Sequence, residues 1–133
     1  MTDRFSSTTA TRLAEALASE RPPVLVDVRE AAAFEAGHLS GSVHVPVYDL
    51  GARRAELPAG LSTPLVVIGD HRKRAHAAAT FLVLIGFGHV AVLEGGIATW
   101  EGPLATGPPR PHKPPGPELR VVPNEPDEDE AEG

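Results

Sequence analysis

Along the first hundred residues the hydrophobic pattern switches between two periods, and each switch marks an element. "VLVDV" (24–28) is an apolar run broken by one acid, the pattern of a strand buried on both faces as in a parallel sheet. "SVHVP" (42–46) alternates and stops at a proline, so it reads as a second strand. "PLVVIG" (64–69) is a third, and "HVAVLEGG" (89–96) a fourth that runs into a glycine turn and the short segment "IATW". Between these runs the spacing becomes helical. Leu13 and Leu17 fall four residues apart behind Ser7, Thr8 and Thr9, which are candidate N-caps. "REAAAFEAG" predicts a short helix ended by Gly37, and "VYDLGARRAEL" is weakly helical. From Lys73 to Ile85 the residues Ala75, Ala78, Ala79, Leu82 and Ile85 recur on one face. Strands alternating with helices predict an α/β fold with an open, mainly parallel sheet and right-handed crossovers. Ligands of such sheets bind off the carboxyl ends of the strands, where Asp27, Gly69 and Glu94 lie.

Composition limits what this body can be. With 133 residues and 41% hydrophobic content the chain has enough for one core. We place the domain at 1–106 and a separate tail at 107–133. That tail holds eight of the fourteen prolines and ends in "DEDEAEG". Proline removes backbone donors and the apolar residues are sparse, so the tail is expected to be disordered and partly polyproline II. It reads as a solubilising extension or as an interaction tail for proline-recognising or basic partners. The net charge of −6 divides into −2 for residues 1–106 and −4 for 107–133. The nearly neutral body argues against a nucleic-acid partner. No apolar run approaches the roughly 20 residues that cross a bilayer, and the N-terminus has no apolar signal core. The expected setting is cytoplasmic, without a membrane partner. Cysteine is absent, which excludes disulfides, thiolate metal sites and thiol catalysis.

The stretch "VVIGDHRKRAHAAATFL" (66–82) carries the chemistry. A strand passes through a short polar turn straight into a helix, and such a turn aims the first N–H groups of the helix at one point. An anion fits there, and Arg72, Lys73 and Arg74 add cationic side chains. Turns of this kind often also hold a nucleophilic thiolate; here none is available.

At this point the motifs resemble a known family. "VLVDVREAAAFEAGHLSGSVHVP" resembles the first signature of rhodanese-like domains, and "VAVLEGGIATW" resembles their closing signature, with "FLVLIGF" similar to the helix end before it. The likeness covers about residues 8–104, with three motifs in order. It implies a central parallel sheet of about five strands with helices on both faces, and an active-site turn between the fourth strand and the next helix. In the family that turn typically reads C-x-x-G-x-R-S, its cysteine carrying a persulfide in sulfurtransferases and a phosphocysteine in related cell-cycle phosphatases. Carried over residue by residue, the cysteine position is Gly69, the glycine Arg72, the arginine Arg74 and the serine Ala75; the acid before the aromatic of the first signature is Ala33.

Without a thiolate, sulfur cannot be held covalently, and persulfide chemistry is excluded. The sequence therefore reads as a catalytically inactive rhodanese-like binding or regulatory module. Its former active-site turn, Gly69, Asp70, His71, Arg72, Lys73, Arg74 and Ala75, is the expected site for a small anion or an acidic protein segment. Asp27, Arg29 and His38 are expected to support loops, since a buried acid needs partners, and Trp100 to anchor the core. His71 and His76 are too far round a helix to share a metal, so neither metal nor cofactor is expected. Two alternatives stay open: phosphatase-like chemistry through Asp70 or His71, and an accessory role in sulfur transfer. The acidic tail could also fold back on the basic turn as a pseudo-ligand.

Overall fold

The structure, a computed structural model, describes residues 5–70 and 72–108; His71 and the tail from 109 onward lie outside the described residues. Five strands form one sheet: β1 (Ser6–Thr8), β2 (Val24–Asp27), β3 (Val43–His44), β4 (Leu65–Ile68) and β5 (Val90–Leu93). Their spatial order is β1-β5-β4-β2-β3 and every pairing is parallel. Three helices accompany them: α1 (Ala10–Leu17), α2 (Ala31–Ala36) and α3 (Arg72–Leu84), together with 3-10 turns at Val47–Asp49, Arg54–Glu56 and Gly96–Thr99. No described helix is long and apolar enough to cross a membrane.

The unbroken apolar runs are explained by the two faces they serve. Val26, Val43, Leu65, Val67, Val90 and Val92 look to one side, where Ala75, Ala78, Ala79 and Leu82 of α3 meet them. Leu25, Val66, Ile68 and Leu93 look to the other, where Leu13 of α1, Leu39 and the half-buried Trp100 cover them. Alternate side chains of each strand thus enter two separate cores. Burying a Val or Leu side chain contributes roughly 1.5–3 kcal/mol, so the central strands, covered on both sides, dominate the stability.

Element ends follow local chemistry. Thr9 is the cap of α1, its hydroxyl oxygen accepting from the Arg12 N–H at 3.2 Å. Ser7 and Thr8, the other cap candidates, belong instead to β1, a strand the hydrophobic pattern does not announce. Its three polar residues pair with β5 through the backbone, an interaction that needs no particular side chains at a sheet edge. α3 ends as the motif at "FLVLIGF" requires: Gly86 takes a φ of 114°, and the N–H groups of Gly86 and Phe87 donate to Val83 O and Leu82 O at 3.0 and 3.1 Å. α2 also stops at Gly37, but by a different device. Gly37 is extended, with a φ of 172°, and what restricts it is space: a Cβ there would sit 3.1 Å from Leu104 Cδ1. The "VYDLGARRAEL" segment is two 3-10 turns rather than an α-helix.

The end of β2 is held by a buried ion pair. Asp27 is fully buried and Arg29 is 4% exposed. Asp27 Oδ1 accepts from the Arg29 backbone N–H at 3.1 Å and from Nε at 3.0 Å, and Oδ2 accepts from Nη2 at 2.8 Å. Arg29 Nη2 also donates to Gly37 O at 2.7 Å and Nη1 to Ala33 O at 3.3 Å. One side chain therefore fastens the strand end to both the middle and the end of α2. His44 Nε2 donates to Arg29 O at 2.9 Å and His38 Nδ1 to Phe34 O at 2.7 Å; a carbonyl only accepts, so these nitrogens carry the protons. The Phe34 ring stacks on both histidines, at 3.7 and 4.3 Å. His38 further exchanges two backbone bonds with Ala105, and the Gly107 N–H donates to Glu35 O at 2.9 Å, so hydrogen bonding to the body reaches one residue past the expected boundary.

Two predictions test this packing. Asp27→Asn removes one charge of a buried pair and is expected to lose about 3 kcal/mol of unfolding free energy, the usual scale for stranding a buried partner; urea denaturation within 1 kcal/mol of wild type would contradict the assignment. Gly102→Ala places a Cβ 2.9 Å from Trp100 Nε1 and 3.0 Å from Cε2. The indole must move, at a cost of about 1–3 kcal/mol. Because Trp100 is the chain's single tryptophan, an altered emission maximum and a lowered Tm report the displacement directly.

Candidate functional site

The site forms where three polypeptide turns meet at the carboxyl ends of β1, β5 and β4. β4 closes at Ile68, Gly69 and Asp70 lead out of it, and α3 opens at Arg72. The Gly69 carbonyl accepts from the Ile97 N–H at 3.0 Å. Next to it Gly96 has a φ of 72°, and a Cβ there would collide with the Gly69 oxygen. The glycine pair Gly95–Gly96, both in the left-handed region, thus lets the turn after β5 press against the turn after β4. Of the two, Gly96 meets both demands, backbone angle and close approach.

Beside this contact lies a cleft of about 650 Å³ between α3 and the edge strand β1. Its floor includes Val92, and its walls include Phe5, Ser6 and Ser7 on one side and Arg72, Ala75 and His76 on the other. Asp70, Glu94, Gly95 and Gly96 complete it. Phe5 and His76 meet edge to face with ring centroids 5.1 Å apart.

Of the seven residues expected to form the site, the six that the structure describes separate here. Gly69, Asp70, Arg72 and Ala75 line the cleft; Lys73 and Arg74 are not among its lining residues. Lys73 is exposed. Arg74 turns to Glu30, Nη1 to Oε2 at 3.5 Å, and the other Glu30 oxygen accepts from the Tyr48 hydroxyl at 2.7 Å. That hydrogen bond is the main reason the Tyr48 phenol titrates above its ordinary value, with the Glu30 and Asp49 charges adding to it. Asp27, Arg29 and His38 sit in the buried network below β2 and do not line the cleft. Among the described residues no group of three His, Asp or Glu side chains is placed to hold a metal.

Nine of the lining residues were not assigned to the site from sequence, and four of them, Glu94, His76, Phe5 and Ser7, carry most of its added side-chain chemistry. Glu94 was visible only as an acid at a strand end. His76 lies four residues beyond Arg72, hence on the same side of α3. Phe5 and Ser7 gave no signal, because their place depends on the edge strand. Among the described residues the arrangement offers one guanidinium outside any ion pair, two carboxylates, an imidazole, two hydroxyls and the first turn of a helix. It can bind, orient and exchange protons, and no thiol is present for covalent sulfur chemistry.

Known proteins share this arrangement of chain. The chain matches the rhodanese-like domain family over residues 9–103. It is 40% identical over 81 residues to the thiosulfate sulfurtransferase GlpE of Pseudomonas syringae pv. syringae, covering 61% of this chain and 74% of that one. A rhodanese-like domain from Anabaena, solved by NMR, superposes with a TM-score of 0.67 at 27% identity, over 96% of this chain and 98% of the other. A thiosulfate sulfurtransferase from Pseudomonas aeruginosa superposes with a TM-score of 0.64 at 31% identity, over 72% of this chain but 18% of that longer one. Strands β2 to β5, the β4–α3 turn and the glycine turn after β5 fall within residues 9–103, and the chain belongs to the rhodanese-like domain family.

Proposed function

We propose that this chain is a catalytically silent rhodanese-like domain that works as a binding or regulatory module, its β4–α3 turn taking a small anion or an acidic protein segment. The observation that carries the reading is Gly69. It stands at the head of the turn, where a sulfurtransferase would need its nucleophile, and it has no side chain; no cysteine elsewhere in the sequence can substitute. A bound oxyanion therefore stays a ligand, because nothing in the turn can form a covalent bond to sulfur.

Binding would use what remains. The leading N–H groups of a 13-residue helix lack intrahelical acceptors and lie at the positive end of its dipole. Arg72 in the first turn lines the cleft and makes no ion pair among the described residues, so its charge is available. Arg74, the position matching the family's arginine, is engaged with Glu30. In this reading Arg72 has taken over as the anion's side-chain partner.

Two measurements test the proposal. In a thiosulfate:cyanide transferase assay the wild type is expected to be silent, while Gly69→Cys forms thiocyanate because the turn still receives the sulfur anion. Turnover by the cysteine-free wild type would overturn the assignment. In NMR titrations at low salt, sulfate is expected to shift the amides of Gly69, Asp70 and Arg72, and Arg72→Ala to weaken that binding roughly three- to tenfold, the scale of a solvent-exposed charge contact. Turn amides unmoved at saturating sulfate and by an acidic peptide would remove the binding role.

A further inference from the structure

We infer that the cleft between α3 and β1 recognises a small zwitterion, an ammonium and an oxyanion carried on a short apolar or aromatic body. This rests on the anion-binding reading of the turn and extends it by adding a second, cationic subsite and an apolar one.

The charges around the cleft are of both signs. Asp70, Glu94 and Arg72 all line it, all three are exposed, and among the described residues none of them takes part in an ion pair. Some described charges elsewhere are paired, Arg53 with Asp49 and Glu56 and Arg74 with Glu30, and others such as Arg12, Arg54 and Lys73 are not; what sets these three apart is that they share one cleft. Unpaired charges of opposite sign around one concavity would satisfy a ligand that brings both complements. A simple anion at Arg72 meets two carboxylates, and a simple cation at those carboxylates meets the guanidinium. Only a molecule with both charges has a favourable partner for each.

The body of the ligand is set by the floor. Val92 and Ser7 are register partners in β5 and β1, so they present side chains on the same face of the sheet, the face covered further along by α3. Because α3 packs over β4 and β5, the strip above β1 is left open, with Ala75 and the His76–Phe5 ring pair bounding it. A volume of about 650 Å³ falls within the range of small-molecule sites, about 300–1,000 Å³. An oxyanion at Arg72 and the helix start, an ammonium at Asp70 and Glu94, and an apolar group over Val92 and Phe5 would occupy it together.

Matched probes separate these contributions. The ¹⁵N-labelled full chain is titrated at low salt with L-phenylalanine, with 3-phenylpropionate, which lacks the ammonium, and with 2-phenylethylamine, which lacks the carboxylate. Phenylalanine is expected to shift the amides of Ser7, Asp70, Arg72 and Glu94 and to bind about fivefold or more tightly than either analogue, as one added charge contact allows. Glu94→Gln and Asp70→Asn, both at exposed positions, are expected to bring phenylalanine down toward phenylpropionate. If phenylpropionate binds as tightly as phenylalanine, or if Glu94→Gln and Asp70→Asn together change nothing, the zwitterion inference is wrong. Sulfate moving the turn amides while phenylalanine moves none overturns the inference and leaves the anion-binding reading standing. If neither moves them, both fail.

Discussion

The Asp27–Arg29 pair fixes the loops from which the carboxyl end of the sheet is built. A fully buried carboxylate is tolerable only if its oxygens are satisfied, and here both are, by one guanidinium and one backbone N–H. The same guanidinium then reaches the carbonyls of Ala33 and Gly37, and the carbonyl of Arg29 accepts from His44. Strands β2 and β3 and the helix between them therefore end in one mutually bonded unit. Glu30, the next residue, projects from that unit to meet Tyr48 and Arg74, which ties the start of α3 to the far half of the sheet.

A second constraint operates on the near half. The Gly69 carbonyl is gripped by the Ile97 N–H, and the absence of a Cβ at Gly96 is what allows the approach. This contact runs through the Gly69 backbone and needs no side chain there. The turn retains the strand-to-helix geometry of the fold, with a replaced set of side chains: Gly69 at its head, Arg72 in the first turn of α3 and Arg74 diverted to Glu30. In the proposed reading, such a frame serves recognition, because the position of the turn is kept without a thiol.

The cleft is shaped in turn by what the sheet leaves uncovered. α3 covers the centre of its face, and three-residue β1 at the edge extends the floor beyond it. A longer apolar β1 would call for a covering helix; the short polar strand leaves a cleft whose rim carries Asp70, Glu94 and Arg72. The edge strand thus shapes the site more than its length suggests.

The alternation of apolar runs with helical spacing determined the α/β class, four of the five strands and all three helices, because buried strands and amphipathic helices advertise their faces through side chains. The two signatures "VLVDVREAAAFEAGHLSGSVHVP" and "VAVLEGGIATW" fixed the family, and the missing cysteine fixed the chemistry that the turn cannot perform. Tertiary structure alone decided the rest. β1 is held by backbone hydrogen bonds to β5, which leave no side-chain period to read. Arg72 and Arg74 are equal in sequence and separate in space, since a two-residue step on a helix turns the second arginine away toward Glu30. Glu94, His76, Phe5 and Ser7 come from three different elements, and only the parallel register of β1 with β5 brings them to the cleft beside Gly69.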